Sequence, residues 1–224
     1  RFPVEENPKS SHGVLIGNIW SQNWLDKLRE INRKTGNQIH WYGSQNREWI
    51  QFDESELKED GIYFKGHYPE DELVQALRQA AYGLILTGTR DDRSDRPELA
   101  KLSLPSRLTY LLATAYLPII VVGNSNTAAA KFVKEQKIGI VCDYSRKDFA
   151  KAVKEINSPA LQREIRYRGT RLAQSLSADN IHNWIWRSLN NGKPINYRFE
   201  QLGTQLSDAS AVVTAIELNP KHGT

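Results

Sequence analysis

Cysteine occurs once, at Cys142, and methionine not at all. One cysteine excludes an intrachain disulfide and predicts a reducing, cytoplasmic setting. A chain that starts at Arg1 without an initiator methionine reads as a piece of a longer protein. No apolar run approaches the roughly 20 residues that a membrane-spanning helix needs, and no signal peptide is visible. The longest apolar runs, 83–87 and 117–122, are strand-sized. Neither sign of charge dominates: 30 basic residues face 26 acidic ones, for a net charge of +4. The two signs interleave, as in Lys27-Leu28-Arg29-Glu30, which is the pattern of solvated helix faces. The uninterrupted basic stripe of a nucleic-acid binder is missing, so no nucleic-acid partner is expected. The five histidines (His12, His40, His67, His182 and His222) never pair at ligand spacing, so no metal site is expected. The motifs G-x-G-x-x-G, G-x-x-x-x-G-K-[ST] and G-x-S-x-G are also absent. Their absence leaves nicotinamide-dependent redox chemistry, P-loop hydrolysis and a nucleophile elbow without support.

What is present is an alternation. Apolar runs at 13–19, 38–42, 62–65, 82–87, 118–122 and 138–142 are short and mostly glycine-bounded, as strands buried on both faces are. Between them, apolar residues recur at helical spacing in 23–34, 69–77, 104–115, 127–136 and 147–156. Residues 44–60 read as a loop with a short helix, and 159–190 as helical with exposed basic residues. Pro69 followed by Glu70, Asp71 and Glu72 suits a helix N-terminus. Strands alternating with helices predict an α/β fold: an open, mostly parallel twisted sheet with helices on both faces. The expected organisation is a linker over 1–12, a Rossmann-like domain with C-terminal helices over 13–195, and a tail or truncated segment over 196–224.

In such a sheet, ligands bind beyond the carboxyl ends of the strands. The densest signal there is the block from Ser103 to Gly123, SLPSRLTYLLATAYLPIIVVG, a turn leading into a helix and then a proline-led strand. Ser103, Leu104, Pro105 and Ser106 place amide groups at a helix N-terminus, which is a ready anion site. Arg107, in the first turn, adds a cation suited to phosphate. The alternative is that Ser103 or Ser106 caps the helix and Arg107 is solvated.

The order of these segments resembles the C-terminal domain of GT-B glycosyltransferases, in the large retaining group that includes sucrose synthases and polysaccharide-biosynthesis enzymes. Residues 104–120 resemble the group's "lPsKlfeYlaaGkPvi" segment, and 123–141 its "G.a..v...g.Gi.v" continuation; the likeness covers roughly 13–156. The resemblance implies a hexosyltransferase half that holds a nucleoside-diphosphate sugar, with its acceptor domain N-terminal and absent here. It implies donor and diphosphate contacts from Gly17, Asn18, Trp20, Ser103, Leu104, Pro105, Ser106 and Arg107. Base and ribose contacts are implied for Gly66, His67, Tyr68 and Tyr110. No metal or other cofactor is implied, because basic side chains and helix dipoles stabilise the leaving diphosphate. Of the acidic pair common in the group, only Glu98 lies near enough to stand in, and no catalytic residue is assigned. The stretch Leu108-Thr109-Tyr110-Leu111 carries no acid where many relatives bind the ribose with a glutamate. A nucleotide-sugar epimerase half and a non-catalytic α/β interaction module therefore stay open. The isolated chain is expected to be inactive, and the longer protein to be a candidate for peripheral membrane association.

Overall fold

The computed structural model describes residues 10–44, 48, 50–88 and 101–197. The chain divides into two units, residues 1–174 and 175–224.

The first unit is built on a six-stranded sheet in the order β3-β2-β1-β4-β5-β6, with every pairing parallel. The strands are β1 (Gly13–Ile16), β2 (Ile39–Tyr42), β3 (Ile62–Gly66), β4 (Tyr82–Leu86), β5 (Ile119–Val122) and β6 (Gly139–Cys142). The β-branched and aliphatic runs of β1, β4 and β5 occupy the middle of the sheet and are buried throughout. Burial on both faces is why these strands show no apolar–polar alternation. Helices α1 (Gln22–Asn32), α2 (Glu54–Glu59), α3 (Glu70–Gln79), α4 (Ser106–Ala115), α5 (Ala128–Glu135), α6 (Arg146–Ile156) and α7 (Pro159–Ser175) accompany it.

Most helix starts in this unit are closed by their own sequence. Ser21 accepts from the Trp24 amide, Asp53 from Ser55 and Glu56, Thr127 from Ala130, Ser145 from Asp148, and Ser158 from Leu161. Such caps are worth about 1 kcal/mol each. α1 buries Leu25, Leu28 and Ile31 on one side and sends Arg29 and Arg33 to the buried Asp60 carboxylate, each at 2.7 Å. α7 ties down two other helices at once. Its buried Arg166 donates to the Ala80 carbonyl that ends α3 (2.8 Å) and to the Ala115 carbonyl that ends α4 (3.2 Å).

Three expected elements differ in extent. β1 stops at Ile16 instead of running to 19, because Gly17 turns the chain with φ +78°, a conformation that glycine alone adopts freely. α4 starts at Ser106 and not at 104, since Pro105 is held extended as the preceding residue. The helical stretch 159–190 is two helices, α7 and α8 (Ile181–Asn191). Asn180 enters α8 from the left-handed region. α8 lies in the second unit, where Trp184 Nε1 donates to the Asn196 carbonyl and side chain at 3.2 and 3.1 Å. Among the described residues no helix is long and apolar enough to cross a membrane.

Candidate functional site

The strand order reverses between β1 and β4. From β1 the chain winds outward through β2 and β3; it then crosses back through α3 to β4 and winds the other way. The loops leaving the carboxyl ends of β1 and β4 therefore diverge, and they open a crevice at the switch point. Gly17 and Asn18 form one wall of it, and the N-terminus of α4 stands opposite.

That N-terminus is bare. Pro105 is its cap residue and provides no side-chain hydrogen bond, and the first turn holds no acid. Ser103 and Ser106 are both exposed, and neither caps the helix, so the capping alternative fails. Among the described residues, the Ser106 and Arg107 amide groups have no hydrogen-bond acceptor.

Arg107 is not solvated either. Its side chain is half-buried, and Nη1 donates to the Asn18 carbonyl at 3.1 Å and the Ile16 carbonyl at 3.4 Å. Burial pushes its pKa down from the ordinary guanidinium value, while the nearby Tyr144 works against this. The group stays protonated, as guanidinium does in proteins. No carboxylate among the described residues pairs with it. A cation partly removed from water without a counter-charge, beside an uncapped helix start, makes the crevice electropositive.

The β1 turn is held from its other side as well. Trp41 Nε1, from β2, donates to the Gly17 carbonyl at 2.8 Å, and the Gly17 amide donates to the Tyr42 carbonyl at 2.8 Å. Gly43 makes room for this: a Cβ there would lie 2.8 Å from the Gly17 oxygen and 2.9 Å from Trp41 Nε1. After β6, the Tyr144 hydroxyl donates to the Thr87 carbonyl that follows β4 at 3.1 Å. Neither Trp41 nor Tyr144 is assigned a ligand contact by the sequence. Each acts through a long-range bond to a backbone atom, which no local pattern encodes.

The structure thus brings Gly17, Asn18, Pro105, Ser106 and Arg107 together. Trp20 and Leu104, two residues after Asn18 and one before Pro105, are exposed by 61% and 38%. The residues expected around the base form a second group beyond β3. Gly66 has φ +72°, His67 is exposed, and Tyr68 meets Tyr42 edge to face at 5.1 Å. Tyr110 joins this group through Glu70, whose Oε1 accepts from its hydroxyl in a long bond of 3.5 Å. Glu98 lies outside the described residues, as do residues 1–9 of the expected linker and 198–224 of the expected tail. Among the described residues no group of three or more His, Cys, Asp or Glu side chains is placed to hold a metal ion.

Comparison with known proteins agrees with this architecture. A TarM variant from S. aureus, solved with fondaparinux, α-GlcNAc-glycerol and UDP, is similar with a TM-score of 0.51 and 10% identity, over 81% of this chain and 36% of that one. The catalytic domain of cholesterol-α-glucosyltransferase from Helicobacter pylori gives 0.48 and 13% identity, over 75% of this chain and 100% of that one. An Os79 variant from O. sativa, solved with UDP, gives 0.49 and 13%, over 77% and 37%. At these identities the likeness is one of fold, and the TarM comparison carries it. The chain spans little more than a third of the TarM and Os79 chains. No curated protein matches it in sequence. Residues 14–176 match the family described as Glucosyltransferase 3-like, C-terminal domain. That match covers most of the chain and includes the whole switch-point crevice, and so the chain belongs to the Glucosyltransferase 3-like C-terminal domain family.

Proposed function

We propose that this chain is the donor-binding half of a glycosyltransferase, holding a nucleoside-diphosphate sugar in the switch-point crevice. Arg107 carries the reading: it is a half-buried cation without a carboxylate partner among the described residues, set in the first turn of an uncapped helix. Leaving a helix start bare forgoes about 1 kcal/mol of capping, and a bound diphosphate supplies the missing acceptors. The exposed amide groups of α4 and the remaining guanidinium hydrogens of Arg107 suit its oxygens in number and charge. The same groups stabilise the leaving diphosphate when the bond from the anomeric carbon to the diphosphate oxygen breaks. This chemistry needs no metal ion. The Tyr42–Tyr68 pair and His67 line the side where the base lies. The TarM structure named above contains UDP, which favours the same ligand class here. The acceptor domain belongs to a longer protein, and the isolated chain binds donor without turnover.

Calorimetric titration of the chain with UDP and with GDP tests this reading. One of the two binds, and Arg107→Ala weakens that binding about tenfold or more, the loss expected for charge-assisted hydrogen bonds. If neither nucleotide binds at millimolar concentration, the reading is wrong. If Arg107→Ala binds as well as the parent chain, the diphosphate lies elsewhere.

A further inference from the structure

The turn after β1 has three successive carbonyls, at Ile16, Gly17 and Asn18, and all three are engaged by side-chain N–H groups. Arg107 takes the first and third, and Trp41 takes the middle one. The middle bond matters most for a ligand. A peptide unit is planar and trans, so the N–H of Asn18 points opposite to the C=O of Gly17. Trp41 belongs to β2, on one side of β1, while β4 lies on the other. Holding the Gly17 oxygen toward β2 therefore aims the Asn18 N–H toward β4 and the crevice. Among the described residues that N–H has no acceptor.

The surroundings are built to keep this bond. Trp41 is 2% exposed and its ring packs against both Phe52 and Phe64, with centroids 5.1 and 5.0 Å away, in a cluster whose two phenyl rings also meet at 5.5 Å. Only glycine at position 43 leaves the indole nitrogen and the Gly17 oxygen in reach of one another. Gly17 itself, at φ +78°, is free to rotate its peptide unit in the way a larger residue is not. The flexible element is thus clamped by a rigid one.

We infer that Trp41 is a positioning residue of the donor site: its indole N–H fixes the Gly17–Asn18 peptide so that the Asn18 amide hydrogen-bonds the donor diphosphate. The assignment rests on the diphosphate reading above and adds a second wall to it. Arg107 and the α4 amide groups grip the anion from one side, and the β1 turn donates from the other.

Trp41→Phe tests it, since it keeps an aromatic ring against Phe52 and Phe64 and deletes the N–H donor. The probes are UDP with uridine and GDP with guanosine, titrated into the full 224-residue chain. For the pair whose diphosphate binds the parent, Trp41→Phe lowers diphosphate affinity about fivefold and leaves nucleoside affinity unchanged. A purely structural role for Trp41 lowers both equally or neither, and either result overturns the inference. If Trp41→Phe does not fold, Gly43→Ala wedges a methyl group into the same bond and is read by the same criterion. Absence of UDP and GDP binding in the parent overturns the donor-site reading together with this inference. Parent binding with an unselective Trp41→Phe overturns the inference alone.

Discussion

Helices α3 and α4 leave the same edge of the sheet, each behind a proline that provides no side-chain cap, and each ends on a carbonyl held by the Arg166 guanidinium. They differ where they begin. α3 opens with Glu70, Asp71 and Glu72, three carboxylates that answer the partial positive charge of its N-terminus within the chain. α4 opens with Ser106 and Arg107 and no acid, so its charge is added to instead of answered. Two helices with the same entry, exit and anchor thus divide the labour. One is complete by itself, and the other, on the proposed reading, takes an external anion. The difference lies at the switch point, where strand order alone places a ligand. Local sequence and topology pick out the same few atoms independently.

Making α4 resemble α3 is the sharpest way to break this contrast. Ser106→Glu puts a carboxylate at the exposed start of α4, where it stabilises the helix by a fraction of a kcal/mol and competes with the ligand. We expect Tm to rise slightly while UDP or GDP affinity falls about tenfold in calorimetry. Equal affinity would show that α4 does not receive the anion. The reciprocal change, Asp71→Asn with Glu72→Gln, removes most of what completes α3 and leaves Glu70, which holds Tyr110, in place. Thermal unfolding should shift down by about 2 °C, with nucleotide affinity unchanged, since neither residue belongs to the proposed site.

A smaller effect is expected at the other end of α4. Tyr116 closes the helix in the left-handed region, at φ 51° and ψ 34°, where the resembling enzymes often carry glycine. A side chain in that conformation costs about 1 kcal/mol relative to glycine. Tyr116→Gly should therefore raise stability by up to about 1 kcal/mol in denaturant unfolding and leave binding alone. A loss of stability would mean that contacts of the tyrosine ring outweigh the backbone strain.

Much of this architecture was legible in the chain. The apolar runs ending in Gly43, Gly66 and Gly123 marked strands and their outlets, because burial on both faces and sharp turns leave local signatures, whereas the run 13–19 hid the turn at Gly17. The bare start of α4 was half legible. Its serines allowed a capping role as readily as an anion site, and only the backbone at Pro105 shows that neither serine caps. The Arg107 contact to the β1 turn joins residues about ninety positions apart, and the Trp41 contact joins β2 to the residue after β1. Sequence spacing says nothing about either. Burial periodicity named Trp41 as a strand residue, but which atom its indole nitrogen meets is set by strand order and by the space that Gly43 leaves.

On the proposed reading, the crevice between the β1 turn and α4 recognises a diphosphate. The most direct measurement of it compares the affinities of the unaltered chain for UDP against UMP, and for GDP against GMP, under one buffer and salt condition. For the base the chain accepts, the diphosphate should bind about tenfold or more tightly than the monophosphate. Equal affinities for the two would contradict it, since the bare helix start and Arg107 would then contribute nothing to the bound state.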